Sequence, residues 1–378
     1  MNPEPHILPP GPEDFTCRIE KLREAMTRIR IGGAFLTPSP NMAYFTGHEG
    51  VQTDRLLALL VPLEGPCGLV VPSFEAPQFS GLPGSPEILA WQEHEDPHAL
   101  GLRYFEGNTG AWPRIALEPS MAFETAWRLM ECGISRFTLE SGTSLFDSVR
   151  RRKEKLELEI MAVAANMTHA ALERTWSAVQ AGMSELDIAN HLKGEFEKEN
   201  PGGTGWGLVQ IGPSSALPHG APGKRRLEEG DVLLIDCGTP LHGYNADITR
   251  TVVYGKATER FRRVHEIVFQ AQEAGIETLA SGVPCEEADR AARRVIEAAD
   301  FGVYFNHRLG HGIGLRGHES PYLVEGNKTA LVEGDTVTVE PGIYIPGEFG
   351  VRIEDVITVT RDGRAVVGNR PTGLREIG

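Results

Sequence analysis

Cysteine is scarce in this chain, which has five cysteines among 378 residues and no CxxC pair. Their odd number and wide separation argue against a disulfide framework. Cys237 directly follows an acid, Asp236, but a small buried residue at a strand end explains it better than a ligand or a nucleophile does. We therefore expect residues other than cysteine to carry the chemistry. The five are Cys17, Cys67, Cys132, Cys237 and Cys285.

Long apolar runs and an excess of basic residues are also missing. No apolar stretch approaches the length that spans a bilayer, and the N-terminal segment lacks the cationic start and apolar centre of a secretory signal. The prolines of that segment predict a flexible lead-in instead. The formal net charge of −15 argues against nucleic acid or an anionic membrane as a partner. We therefore predict a cytoplasmic protein that binds neither.

The pattern of apolar and polar residues predicts two domains. Over the first part of the chain, short apolar runs alternate with helical patterns, beginning with an amphipathic helix at residues 13–30, as is typical of a layered α/β domain. The basic run at 150–153 marks the boundary, and the acid Glu154 that follows it indicates the solvated start of a helix rather than a nucleic-acid site. We predict an α/β domain at residues 1–148 and an α+β domain at residues 149–378.

Two aspartates lie in a predicted β-hairpin at residues 231–251. A short apolar run typical of a buried strand ends at Asp236. After a turn-like segment, Asp247 leads into a run rich in β-branched residues. Two acids on neighbouring strands can face the same point, where their like charges require a cation, a shared proton or water between them.

Three further segments carry acids or histidines that attract attention. His311 and His318 lie among glycines, which let the backbone approach a ligand closely. Glu340 directly follows a predicted strand, and Glu354 and Asp355 interrupt another. With one acid of the Glu354–Asp355 pair pointing into the site, four carboxylates and one histidine form an oxygen-rich ligand set that suits manganese, cobalt or zinc in a two-metal site, whereas structural zinc favours cysteine or histidine.

These segments resemble the signature segments of the pita-bread metallopeptidases, and among them most closely prolidase and Xaa-Pro aminopeptidase. The resemblance covers roughly residues 150–370 and implies a pita-bread catalytic domain, while an N-terminal stretch resembles part of the creatinase-like α/β domain that these members carry. The segments are LPHG, DCGTPLHGYNADITRT, GHGIGLRGHESP, TVEPGIY and GVRIEDVITVT in the second domain and NMAYFTG in the first.

The resemblance implies roles for individual residues. Asp236 and Asp247 would bind metal, with Asp247 bridging two ions, while His311 and Glu340 would bind one ion and Glu354 would bridge. Glu340 would also serve as general base and acid, because a carboxylate beside an activated water can take its proton and pass it to the leaving amine.

Three more residues would act on the substrate or on the ligands. By the same resemblance, His219 and His318 are not ligands but hydrogen-bond the substrate and the tetrahedral intermediate. Arg352, two residues before Glu354, would share its face on a regular strand and orient that carboxylate. Arg316 departs from the family pattern and either meets a substrate carboxylate or faces solvent, and we favour solvent.

The predicted function is a two-metal hydrolase that cleaves the Xaa-Pro bond of dipeptides, with two divalent ions per subunit, manganese first and cobalt or zinc as alternatives. The short segment after His318 lacks the arginine-bearing insertion of large prolidases, which leaves recognition of a dipeptide C-terminus open. The alternatives are an Xaa-Pro aminopeptidase acting on longer peptides and a non-enzymatic binding module on the same fold. A creatinase-like amidinohydrolase is disfavoured by the complete carboxylate set, and a methionine aminopeptidase by the N-terminal domain.

The resemblance also implies a homodimer in which the N-terminal domain of one subunit reaches towards the active site of the other. His48 or Arg55, just after NMAYFTG, would then close the pocket in trans and select short substrates.

Overall fold

The computed structural model describes residues 7–133 and 135–378, and these fall into two compact units. One unit is Leu8–Arg150, and the other is Arg151–Gly378 together with Ile7. The division lies two residues beyond the boundary expected from the sequence. Residues 1–6 of the predicted flexible lead-in lie outside the described residues. No helix in the described part of the chain is both long enough and apolar enough to cross a bilayer.

The unit Leu8–Arg150 is a layered α/β structure built on one six-stranded sheet, in the order β4-β3-β2-β1-β5-β6. Strand β1 pairs antiparallel with β2 and parallel with β5. In chain order the elements are α1 (Pro12–Ile29), β1 (Gly33–Leu36), α2 (Pro40–Thr46), β2 (Ala58–Pro62), β3 (Gly68–Pro72), β4 (Glu87–Trp91), α3 (Pro97–Tyr104), β5 (Arg114–Leu117), α4 (Phe123–Gly133), β6 (Thr138–Ser141) and α5 (Thr143–Arg150).

The first predicted helix corresponds to α1, but the apolar face expected from Ile19, Leu22, Met26 and Ile29 is buried only in part. Leu22 and Met26 are buried as predicted, whereas Ile29 is 45% exposed. The reason is that the helix ends there: Arg30 adopts a left-handed conformation with φ of 60°, so the chain leaves the helix before Ile29 can pack.

The second unit combines helices with three separate sheets. Its elements are α6 (Lys155–Ala178), α7 (Glu185–Glu199), β7 (Trp206–Ile211), β8 (Val232–Gly238), β9 (Ile248–Tyr254), α8 (Glu259–Thr278), α9 (Cys285–Ala298), β10 (Gly310–Gly312), β11 (Glu319–Leu323), β12 (Thr336–Val339), β13 (Gly342–Ile345), β14 (Phe349–Arg352), β15 (Asp355–Thr360), β16 (Gly363–Val366) and β17 (Glu376–Ile377). The sheets are ordered β17-β9-β8-β7, β11-β10-β12-β15-β16 and β13-β14.

Two helix pairs cover these sheets. Residues of α6 and α7, such as Leu172 and Ile188, share a buried apolar cluster with Leu233 of β8. Residues of α8 and α9 share another with Val337 of β12. A capping residue marks the start of α7, where the Ser184 side chain accepts a hydrogen bond from the backbone N–H of Asp187.

The apolar pattern predicts one strand over residues 351–360, interrupted by Glu354 and Asp355, and this prediction is wrong. The structure has two strands, β14 and β15, which belong to different sheets and are separated by Ile353 and Glu354. At this crossing the Glu354 amide donates to the carbonyl of Thr249, so it bonds to β9 and not to a partner within one continuous ladder. The pattern of apolar residues continues across the gap because both strands are buried, and it therefore hides the break.

The predicted hairpin is present as β8 and β9, which pair antiparallel with Asp236 opposite Thr249. It depends on Gly238, where an added Cβ would lie 1.9 Å from the carbonyl oxygen of Ala246. A backbone atom cannot swing away as a side chain can, so only glycine fits there.

We expect Gly238→Ala to lower the free energy of unfolding by about 1–3 kcal/mol or more, because the clash forces the hairpin backbone apart. Gly194 in α7 is the matched comparison, since a Cβ there would meet nothing within 4 Å. Gly194→Ala should instead stabilise the protein by about 0.5–1 kcal/mol through helix propensity. Urea unfolding of both variants checks the opposite signs, and equal effects would contradict the structural account.

Candidate metal centre

Five predicted ligand residues, carried on or next to strands of three sheets, converge at one place. Asp236 lies near the end of β8 and Asp247 directly before β9, while His311 is in β10, Glu340 follows β12 and Glu354 lies between β14 and β15. Four of the five are buried and Glu340 is half-buried. All five line one cavity of about 410 Å³.

The ligand atoms form overlapping groups. One group contains His311, Glu340 and Glu354, and another contains Asp236, Asp247 and Glu354; within each, the atoms that could bind metal lie within 4.8 Å of one another. Because Glu354 belongs to both groups, the geometry suits two adjacent ions that share this carboxylate. A third group consists of Asp247, His311 and His318.

Hydrogen bonds to one oxygen of a carboxylate leave the other oxygen free for a ligand. The Thr249 hydroxyl donates to Glu354 Oε2 at 2.6 Å. Arg352 Nη2 donates to Asp236 Oδ2 at 2.6 Å, while Asp236 Oδ1 is buried and has no hydrogen-bond partner among the described residues. A buried carboxylate oxygen without a partner is costly, and a cation would satisfy it.

The contact of His311 with a backbone carbonyl assigns it the tautomer that leaves Nε2 free to bind metal. Its Nδ1 lies 3.0 Å from the Gly312 carbonyl, which can only accept, so Nδ1 carries the hydrogen. The lone pair of Nε2 then faces Glu340 Oε1 at 3.3 Å and Asp247 Oδ2 at 3.7 Å. Burial and the neighbouring His318 lower the pKa of His311 to about 3, which disfavours a proton in this gap. A metal ion fits between these atoms.

The acids crowd one another. Burial, then the charges of Asp236 and Glu340, raise the pKa of Asp247 well above its usual value. Burial and the neighbouring carboxylates do the same to the pKa of Glu354. The pKa of Glu340 rises to about 7, chiefly through burial, with Arg352 opposing the rise. Divalent cations would remove this repulsion, and four carboxylates with one imidazole suit manganese, cobalt or zinc.

The two histidines predicted to contact substrate line the same cavity, and both are exposed. The ring of His318 lies 3.8 Å from that of His311 between centroids. His318 is close enough to Asp247 and His311 to be a ligand itself, so its predicted role as a non-ligand stays a prediction. His219 belongs to none of the metal-binding groups among the described residues.

The predicted contact between Arg352 and Glu354 is replaced by an indirect one. Arg352 is almost fully buried, and its guanidinium bonds Asp236 and the hydroxyl of Thr249, which in turn donates to Glu354. The prediction assumed that both residues lie on one regular strand, whereas β14 ends at Arg352 and Glu354 lies outside it. Arg352 therefore holds Asp236 directly and Glu354 only through Thr249.

Tyr344, His307 and Arg308 were not predicted as site residues from the sequence, although His307 and Arg308 line the cavity and Tyr344 bonds to His307. Arg352 Nη1 donates to the Tyr344 hydroxyl at 2.9 Å, which lies 2.9 Å from His307 Nε2. His307 and Arg308 line the cavity, and Arg308 Nη2 lies 3.2 Å from His318 Nδ1. The only available signal was the HR pair shortly before His311.

The remaining candidates lie elsewhere. Arg316 is half-buried and is not among the residues that line the cavity. His48 and Arg55 belong to the unit Leu8–Arg150, in which the His48 ring packs edge-on against Phe79 and Arg55 Nε donates to Glu93 at 2.8 Å. Their predicted trans role stays a prediction.

Residues 159–361 match the metallopeptidase family M24, and residues 18–151 match the creatinase/prolidase N-terminal domain. The chain belongs to metallopeptidase family M24. The predicted family is thereby confirmed, as is the predicted fold class of a creatinase-like α/β domain followed by a pita-bread domain.

Solved structures of two dipeptidases and one aminopeptidase resemble the chain over nearly its whole length. Dipeptidase PepE from Mycobacterium ulcerans is 30% identical, with a TM-score of 0.91 over 98% of this chain and 100% of that one. The Xaa-Pro dipeptidase from Bacillus anthracis is 31% identical, with a TM-score of 0.85 over 96% and 100%. The X-Pro aminopeptidase from Thermotoga maritima is 28% identical, with a TM-score of 0.80 over 94% and 100%.

We expect Mn²⁺ to bind the metal-free protein more tightly as the pH rises. The metal-free carboxylates have raised pKa values, about 7 for Glu340, so they hold protons that an incoming ion must displace. Raising the pH removes these protons beforehand, and the dissociation constant should fall by about tenfold per pH unit for each proton released. Calorimetric titration with Mn²⁺ on either side of neutral pH measures this, and a pH-independent affinity would contradict the assignment.

Proposed function

We propose that this chain is a two-metal hydrolase that cleaves the Xaa-Pro bond of dipeptides. The observation that carries the proposal is the pair of buried ligand groups sharing Glu354, in a cavity that also contains two exposed histidines. Two divalent ions bound at such residues supply an acidified water and an electrophile for the carbonyl oxygen.

The residues of the chain divide the remaining work. Asp236, Asp247, His311, Glu340 and Glu354 would hold the ions. Glu340 takes a proton from the attacking water and passes it to the leaving nitrogen, because its carboxylate borders the cavity and is the least buried of the set. His219 and His318 donate hydrogen bonds to the substrate carbonyl as it becomes an oxyanion.

Proline after the scissile bond explains why a dedicated cavity is needed. Its nitrogen is a tertiary amide without an N–H, so the pairing that extended peptides use for recognition is not available. The cavity offers instead an apolar wall formed by Trp206, Leu208 and Pro218, against which a pyrrolidine ring can pack. The more similar of the solved structures described above also bear dipeptidase names, which favours a dipeptide substrate.

An Xaa-Pro aminopeptidase is the second candidate, supported by the likeness to the Thermotoga maritima protein. Assaying Ala-Pro, Ala-Pro-Ala and Met-Ala side by side separates the alternatives. Cleavage of Ala-Pro alone supports a dipeptidase, preference for Ala-Pro-Ala an aminopeptidase, and cleavage of Met-Ala a methionine aminopeptidase. Absence of turnover with stoichiometric metal bound would favour a binding module.

Activity should vanish on complete removal of metal and return with manganese, cobalt or zinc, with manganese as our first choice. Full turnover by protein that elemental analysis finds free of metal would overturn the two-metal mechanism. The homodimer and the cytoplasmic location stay predictions from the sequence.

We expect Glu340→Gln to lower kcat by about 10²–10⁴-fold, because an amide cannot accept the proton of the attacking water. Glu348→Gln is the matched control, since Glu348 is exposed and pairs with Arg260 at the surface. Metal content and thermal unfolding of both variants separate loss of the base from loss of an ion or of the fold. Wild-type turnover in metal-loaded Glu340→Gln would remove Glu340 from its proposed role.

A further inference from the structure

Arg308 is a cation that lines the cavity and has no role in the proposed metal binding. It lies in the loop before β10, is half-buried, and lines the cavity together with His219 and His318. The other arginine of the cavity, Arg352, is committed to Asp236. In the part of the chain that the structure describes, no carboxylate lies within ion-pair distance of Arg308.

The guanidinium of Arg308 is held in a fixed place. It lies 4.5 Å from the centre of the Tyr322 ring, and its Nη2 is 3.2 Å from His318 Nδ1. Stacking and a hydrogen bond restrict the plane of the group, which lowers the entropy lost when it binds a planar anion. An arginine presented in this way suits a carboxylate, which it can bind with two parallel hydrogen bonds.

Arg308 lies next to a residue of the metal-binding groups, so a short substrate could reach both. The ligand atoms of Asp247, His311 and His318 lie within 4.8 Å of one another, and Arg308 is one hydrogen bond beyond His318. In a dipeptide, the scissile carbonyl carbon and the C-terminal carboxyl carbon are three bonds apart, about 3 Å. Each added residue moves the carboxylate up to roughly 3.5 Å further away.

We propose that Arg308 binds the C-terminal carboxylate of the residue directly after the scissile bond and thereby selects dipeptides over longer or amidated peptides. This inference rests on the proposed hydrolysis of Xaa-Pro bonds. It also gives this chain a means of recognising a dipeptide C-terminus without the arginine-bearing insertion that its sequence lacks. Arg316, the other arginine considered for this task, does not line the cavity.

The test compares Arg308→Met with the wild type on Ala-Pro, Ala-Pro amide and Ala-Pro-Ala. The wild type should prefer Ala-Pro over its amide by about 10- to 100-fold in kcat/KM, as expected for a charged hydrogen bond. Arg308→Met should lose this preference, mainly by raising KM for Ala-Pro, while Arg308→Lys should keep part of it. Arg316→Met, the matched control, should keep the wild-type ratio.

The ratio of substrates distinguishes binding from positioning. Arg308 also contacts His318, so a merely positioning role would lower kcat for all three peptides equally and leave the ratio unchanged. That result, or a lost preference in Arg316→Met instead, would overturn the inference while the proposed function stands. If the metal-loaded wild type cleaves none of the three peptides, the proposed function fails, and the inference fails with it. Arg308→Lys, which keeps the charge, also serves if Arg308→Met does not fold.

Discussion

The burial of four carboxylates within one small cavity is the constraint on which the rest of the catalytic unit depends. Asp236, Asp247 and Glu354 are buried, and Glu340 is only partly exposed. Like charges in a medium of low polarity repel strongly, and Arg352 is the one arginine or lysine among the described residues that pairs with an acid of this set. The acids must therefore either hold protons, as their raised pKa values indicate for the metal-free protein, or share cations.

The fold places these acids by linking its two larger sheets. Thr249 of β9 lies opposite Asp236, and its hydroxyl reaches Glu354 at the crossing from β14 to β15. Arg250, the next residue, donates to the Glu354 carbonyl and pairs with Asp355 on β15. Side chains of β9 thus tie the four-stranded sheet to the five-stranded one at the point where the ligands meet. Loss of these bonds would separate the two halves of the ligand set.

Local sequence patterns were sufficient for part of this arrangement. Asp236 and Asp247 flank a turn between two apolar runs, so their approach follows from a hairpin whose register spans few residues. The ligand role of His311 and Glu354 came from a resemblance, because nothing in their neighbours reveals which distant strand they face. The end of β14 at Arg352 could not be predicted from the sequence, because β14 and β15 are both buried and apolar. Tyr344 and Arg308 were missed because their partners lie on other segments and no periodicity marks them.

The charges of the cavity link metal binding to substrate recognition. Two divalent ions would offset the four carboxylates, and Arg352 would then add a positive charge that Asp236 no longer fully balances. Arg308 adds a second positive charge nearby. A cavity that is acidic without metal thus becomes cationic once it is loaded, and it then favours a substrate with a free carboxylate. Under the proposed function, metal binding and the choice of a short peptide with a free C-terminal carboxylate are two results of the same charge arrangement.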